Sequence, residues 1–284
     1  MYDADQLHNK ATTLRIRTLE AIHKAKSGHT GGSLSVMDIL VALYYGELPA
    51  GPIMKYDPKK PGWEDQDYVV LSKGHAAPAL YAVLADLGFF DKSELHYLRQ
   101  VNAMLQGHPV HKIPGITVTT GSLGQGFAAA HGLALSLKLD KKKNRVFAIL
   151  GDGELQEGIV WETAMAAAHY HSDNLTAIID NNQLQIDGFT RSVMNVEPIV
   201  EKFESFGWHV IKVRNGHDFD ALLHALEKAI VTTRRPTCVV CNTVKGKGVT
   251  FAEKKAGYHG VPLSEQEMKE AIPALERTLI NNDS

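Results

Sequence analysis

Hydrophobic positions along the chain fall into two spacings, and their alternation predicts the fold. Leu7, Leu14, Ile16, Leu19 and Ile22 recur at helical spacing near the start. Ser27-Gly-His-Thr-Gly-Gly-Ser33 breaks that pattern, and Ser35 is the expected cap of a second helix carrying Ile39, Leu40 and Leu43. Gly46 to Trp63 holds four prolines and three glycines and reads as a long surface loop. Short apolar runs then recur at Asp67-Tyr-Val-Val-Leu-Ser72, Arg145 to Leu150, Leu175 to Asp180, Trp208 to Val213 and Thr237 to Val244. Apolar helical stretches lie between them, from Pro78 to Leu87, after Thr120 to Gly126, from Ile159 to Tyr170 and from Phe219 to Val231. Near-continuous apolar strands separated by helices predict an α/β fold, a doubly wound, mostly parallel sheet flanked by helices. A single domain over 1–284 is expected, with a polar tail from about 273.

Composition narrows the classes of function. Hydrophobic residues make up 44% and charged residues 22%, and 30 basic against 32 acidic side chains give a formal charge of -2. That balance carries no nucleic-acid footprint. No run of about 18 apolar residues occurs, and Met1 to Leu19 has no apolar centre. A cytoplasmic protein with no membrane or nucleic-acid partner is expected. Cys238 and Cys241 form a C-x-x-C inside an apolar strand, where side chains three apart face opposite ways. A redox or zinc role is therefore not expected.

In such sheets ligands bind beyond the carboxyl ends of the strands. Here those ends read Ser72-Lys-Gly-His75, Gly151-Asp-Gly-Glu154 and Asp180-Asn-Asn-Gln183. Glycines on both sides of Asp152 let the backbone approach an anion. A carboxylate beside a phosphate makes sense if a hard divalent cation stands between them. Asn182 lies 30 residues beyond Asp152, with one helix and one strand between. That interval brings neighbouring strand ends together, so that carboxylate, amide and carbonyl oxygens converge on one site.

This Gly-Asp-Gly with a later Asn-Asn resembles the motif of thiamine-diphosphate enzymes. The flanking segments are more specific. Ser27-Gly-His29, Leu71-Ser-Lys-Gly-His75, Gly107-His-Pro109, Thr120 to Gly126, Gly151 to Gly158, Asn182 to Gly188, Thr243 to Gly248 and His259-Gly-Val-Pro262 occur in transketolase order. The resemblance runs from about residue 10 to 265 and covers only the first, diphosphate-binding half of a transketolase.

The resemblance implies a set of roles. Asp152, Asn182 and the Leu184 carbonyl would hold Mg²⁺, or Ca²⁺ or Mn²⁺. His75, Gly121, Leu123, Gly153, Glu157, Asn182 and His259 would contact thiamine diphosphate, Glu157 across a dimer interface. His29, His108 and His259 would serve catalysis near the sugar hydroxyls. Thr30 and Ser122 stand where the family commonly has proline. Lys245 and Lys247 read equally well as a solvated glycine-lysine loop and are left outside the site.

The reaction implied is transfer of a two-carbon ketol unit from a ketose to an aldose. No segment resembles the glutamate and aromatic pocket that the family's second half supplies around the aminopyrimidine ring. The chain is therefore expected to be inactive alone. The partner it needs is a C-terminal transketolase subunit, in a two-plus-two heterotetramer acting on small sugars, which the sequence leaves open as phosphates, sulfonates or neither. A 1-deoxyxylulose-5-phosphate synthase or 2-oxoacid decarboxylase subunit would share the cofactor, but Gly107-His-Pro109 favours transketolase. A nucleotide-binding dehydrogenase would need Gly-x-Gly-x-x-Gly, whereas Gly121 to Gly126 runs Gly-x-x-Gly-x-Gly.

Overall fold

The structure, a computed structural model, describes residues 2–60 and 62–280. Its centre is a five-stranded, wholly parallel sheet of β1 (Tyr68–Leu71), β2 (Val146–Gly151), β3 (Leu175–Asn181), β4 (His209–Val213) and β5 (Thr237–Asn242). The spatial order is β1-β2-β3-β5-β4. Register pairs Gly151 with Asp180, and Asn181 with Asn242, so the carboxyl ends of three strands finish level.

The main helices are α1 (Ala4–Ala25), α2 (Thr30–Tyr45), α3 (Ala77–Leu87), α4 (Gln125–Leu139), α5 (Gly158–His169), α6 (Ile199–Ser205), α7 (Phe219–Val231) and α8 (Glu265–Glu276). Two hydrophobic clusters cover the two faces of the sheet. Val69, Leu71, Phe147, Ile149, Ile178 and Val239 pack with α1, α2, α3 and α7. Val70, Ala148, Leu150, Ala177, Ile179 and Val240 pack with α4, α5 and α6. Strand direction explains the split. The chain runs outward from β2 to β4 and then turns back to β5, and a right-handed crossover that reverses direction lands on the opposite face. Helix α7 makes that crossover and packs on the α1–α3 side.

Cys238 belongs to one cluster and Cys241 to the other, both fully buried and free. Burial pushes both thiols above the ordinary cysteine range. The two side chains diverge, as expected.

Three elements differ from the sequence-based reading. Helix α2 starts at Thr30 with His29 at its cap, six residues before Ser35, which is buried inside the helix. Gly31 and Gly32 are not breakers here. A Cβ at Gly31 would meet Lys245 Cγ at 2.9 Å, and one at Gly32 would meet His75 Nε2 at 3.3 Å. Close packing against the site outweighs their poor helix propensity. The loop at Gly46 to Trp63 contains a short hairpin pairing Glu47–Leu48 with Gly51–Pro52. At the other end, α8 opens with a capping box between Ser264 and Glu267 and continues past 273 to Glu276. It buries Ala271 and Leu275 against Leu19, Leu34 and Val249. The expected polar stretch from 281 onward lies outside the described residues. No helix among the described residues is long and apolar enough to cross a membrane.

Candidate functional site

Two buried acids frame the carboxyl end of the sheet. Glu154 accepts hydrogen bonds from Ser72 Oγ at 2.5 Å, the Gly124 N–H at 2.8 Å and the Gly151 N–H at 3.0 Å. One carboxylate thus fixes the loops after β1 and β2 and the start of α4. Asp180 accepts from Lys73 Nζ at 2.5 Å, from Ser35 Oγ at 2.6 Å and from Thr243 Oγ1. It ties the ends of β1, β3 and β5 to helix α2. Burial alone would raise the Asp180 carboxyl, but the Lys73 cation together with the Ser35 and Thr243 hydrogen bonds outweighs it and holds the group below its usual range.

Between these anchors lies a cavity of about 370 Å³. Its floor holds three oxygen donors. Asp152 is buried, and its Oδ1 accepts from the Gly153 N–H at 3.0 Å, whereas Oδ2 is buried with no partner. Asn182 donates to Ser35 Oγ at 3.3 Å and turns its Oδ1 toward the Leu184 N–H at 3.1 Å. The Leu184 carbonyl oxygen accepts from Lys245 Nζ at 2.7 Å. Burial, reinforced by the neighbouring Asp180 charge, pushes Asp152 up to about 7. An orphaned, desolvated carboxylate oxygen beside an amide and a carbonyl oxygen is a donor set suited to a hard divalent cation. No group of three or more His, Cys, Asp or Glu gathers into a softer metal cluster among the described residues.

Three imidazoles, His29, His75 and His259, line the same cavity, and a fourth, His108, stands near them. His29 lies at ring-centroid distances of 5.1 Å from His75, 5.4 Å from His259 and 6.4 Å from His108, and His75 stacks on His259 at 5.3 Å. Burial, with the nearby Arg99, Lys245 and Lys73 cations, lowers His29 to about 4. Burial and Lys245 lower His259 to about 3. His75 and His108 are lowered by burial as well. All four rings are therefore neutral at pH 7, each with one N–H and one lone pair. Lys245 Nζ lies 2.7 Å from His259 Nδ1. An ammonium only donates, so the His259 hydrogen sits on Nε2. His29 Nδ1 is buried with no partner.

The resemblance-derived residues converge here. His29, His75, Gly121, Leu123, Asp152, Gly153, Glu157, Asn182, Leu184 and His259 all line the cavity. His108 stands behind Gly121, where a Cβ would meet its ring at 3.4 Å. The Gly153 N–H is engaged by the Asp152 side chain. Glu157 is exposed at the rim and caps α5 without a side-chain hydrogen bond.

The sequence and the fold can be set beside known proteins. Residues 7–276 match the family described as "Transketolase, thiamine diphosphate binding domain". The chain belongs to the transketolase family. It is 43% identical over 272 residues to the 6-deoxy-6-sulfo-D-fructose transketolase subunit SqwG of Clostridium sp. (strain MSTE9), covering 95% of this chain and 96% of that protein. It is 39% identical to an apulose-4-phosphate transketolase subunit of Phocaeicola vulgatus, covering 93% and 94%. Against human transketolase it is 40% identical, covering 94% of this chain but 41% of that one. The crystal structure of Campylobacter jejuni transketolase superposes with a TM-score of 0.89 at 33% identity, over 97% of this chain and 43% of that. The chain thus spans nearly all of the two subunit relatives and about two-fifths of the longer transketolases.

In this transketolase-family chain the sequence-based site needs one correction and several additions. Lys245 reads from the sequence as a solvated loop residue, yet it is 2% exposed and touches Leu184 and His259. Burial and the nearby Lys73 cation lower its ammonium to about 8. A glycine-flanked lysine reads as solvated because periodicity is silent about loops that fold inward. Lys247 is only partly buried and does not line the cavity. Lys73, Glu154 and Asp180 join the site as structural anchors that sequence reasoning misses, although each stands within a strand-end motif. Their signal is position: an ionisable group directly after a wholly apolar strand must find a buried partner.

Proposed function

We propose that this chain is the diphosphate-binding subunit of a two-chain ketol transferase that uses thiamine diphosphate and Mg²⁺. The observation that carries the reading is the orphaned Asp152 Oδ2, set beside the Asn182 and Leu184 oxygens and facing a wall of neutral imidazoles. Asp152, Asn182 and the Leu184 carbonyl would hold the cation, for which Ca²⁺ or Mn²⁺ are oxygen-seeking alternatives. His75, Gly121, Leu123, Gly153 and His259 would hold the cofactor, with Glu157 at the rim. Thiamine diphosphate supplies, when bound, the electron sink for breaking and remaking the bond between C2 and C3 of a sugar.

The chain's own work is to hold, orient and move protons. Burial keeps the imidazoles of His29, His108 and His259 unprotonated near neutral pH; His29 and His108 can each give or take a proton at a sugar hydroxyl, whereas His259, whose Nδ1 accepts from Lys245, donates through Nε2. The unpartnered His29 Nδ1 supports this reading for that ring. The partner is a C-terminal subunit supplying the pyrimidine-binding half, in a two-plus-two heterotetramer. The substrates are a small ketose donor and an aldose acceptor of carbohydrate metabolism, carrying phosphate or, by analogy with the sulfofructose relative, sulfonate. The expected compartment is the cytoplasm.

Thermal unfolding tests the cofactor claim. Thiamine diphosphate with Mg²⁺ should raise Tm in a concentration-dependent way, and NAD should not. A rise with NAD alone would move the chain out of this class.

A further inference from the structure

One charged side chain near the imidazoles is used by nothing above. Arg99 sits in the loop that leads to His108 and adopts φ +61°, the left-handed region that long side chains seldom enter. Its backbone N–H donates to the Leu105 carbonyl at 2.8 Å, which closes the loop. The guanidinium then reaches back, and Nη1 donates to Ser27 Oγ, two residues before His29. The Nε–Nη2 edge of the same group is set against Gly107, where an added Cβ would overlap Nη2 and lie 2.6 Å from Nε. Gly107 immediately precedes His108.

We propose that Arg99 is a positioning residue that joins the Ser27–His29 turn to the Gly107–His108 turn and thereby sets the placement of the two outer imidazoles. Only a planar, multi-donor group can bond one turn while its other edge lies against the second, and only glycine at 107 leaves room for it. Tyr81 Oη donates to the His108 carbonyl at 2.9 Å and holds that turn from below. The arrangement also has an electrostatic signature. His29 is faced by Arg99, His108, Lys245 and Lys73 and by the rings of His75 and His259, and Arg99 stands first among the charges that disfavour its protonation. His108 is faced by Arg99 alone among charged groups. The importance of this positioning for catalysis rests on the ketol-transfer reading, but the positioning itself does not.

Imidazole nitrogen NMR on the full chain, followed through a pH titration, separates the two. Arg99→Gln should move the protonation midpoints of His29 and His108 to higher pH. The buried His131, lowered by desolvation alone, should stay where it is. Gly107→Ala keeps the arginine but removes its seat, and its backbone lies outside the left-handed region, so alanine fits locally. It should shift the same two histidines in the same direction. Unchanged titrations of His29 and His108 in Gly107→Ala would overturn the inference. So would an equal shift of His131 in Arg99→Gln, which signals general loosening. In the reconstituted two-subunit enzyme Arg99→Gln should then lower kcat about 10- to 100-fold while thiamine diphosphate affinity stays within about twofold. Absence of any ketol transfer in the wild type would fail the functional reading and leave the titration result standing.

Discussion

Lys245 Nζ donates to the Leu184 carbonyl oxygen at 2.7 Å, placing a buried cation beside the oxygen donors of Asp152 and Asn182. Asp152 and Asp180 favour that ammonium, while burial and Lys73 oppose it. The lysine therefore balances acids that a divalent ion would otherwise neutralise. Lys245→Met should lower the stability of the cofactor-free chain by about 1–3 kcal/mol, the cost of leaving a buried acceptor unpaired. Mg²⁺ with thiamine diphosphate should recover more Tm in the variant than in the wild type. Denaturant unfolding with and without ligand measures both, and an unchanged free stability would show that the ammonium is dispensable.

Asp152 Oδ2 is buried without a partner, so the carboxylate is held for something other than stability. Asp152→Asn should weaken Mg²⁺-dependent thiamine diphosphate binding by about a hundredfold or more, read by calorimetry. The free variant should unfold no earlier than the wild type, because a buried charge that Lys245 and Lys73 offset only in part has been removed. Retained affinity would remove Asp152 from the metal set.

Glu154 serves three loops at once through Ser72, Gly124 and Gly151. Glu154→Ala leaves three buried donors unpaired and should cost about 3 kcal/mol or more. Hydrogen exchange should rise first at Gly124 and Gly151. A loss confined to activity, with exchange unaltered, would give Glu154 a different role.

His29 and His259 give the fold a pH dependence whose sign is fixed. Their folded values, about 4 and about 3, lie below the unfolded value near 6.5. Above that value neither state binds the proton and the groups are neutral in effect. As pH falls below about 6.5, the unfolded chain takes up protons that the folded one refuses, so stability declines down to about 4 for His29 and about 3 for His259. His29→Asn should flatten the decline of Tm between pH 6.5 and 4 in the ligand-free chain. An identical slope would mean that the ring is already protonated or already exposed.

Much of this architecture is legible in the sequence because β1, β2, β3 and β5 are buried along nearly their whole length and carry apolar residues at most positions, whereas the edge strand β4 is only partly buried. The strand ends are legible for the same reason, since Asp152, Asn182 and His75 follow directly on those runs. The sequence starts helix α2 six residues too late, because Gly31 and Gly32 read as a break until their contacts with Lys245 and His75 are known. It also leaves helix α8 unread and starts a polar tail at about 273, because the apolar residues there are few and Pro273 lies within the helix. Lys245 and Arg99 are illegible for a deeper reason. Each acts through a partner distant in sequence, Leu184 for one and Ser27 for the other, and no local pattern encodes such a pairing.

The central claim is that this chain holds one part of a site completed by a second polypeptide. The direct measurement is ketol transfer from xylulose 5-phosphate to ribose 5-phosphate with thiamine diphosphate and Mg²⁺. It is run with this chain alone, with only the C-terminal transketolase partner, and with both. The account predicts transfer only in the mixture, abolished by Asp152→Asn. Transfer by this chain alone would contradict it, because a residue within these 284 would then be doing the work assigned to the partner.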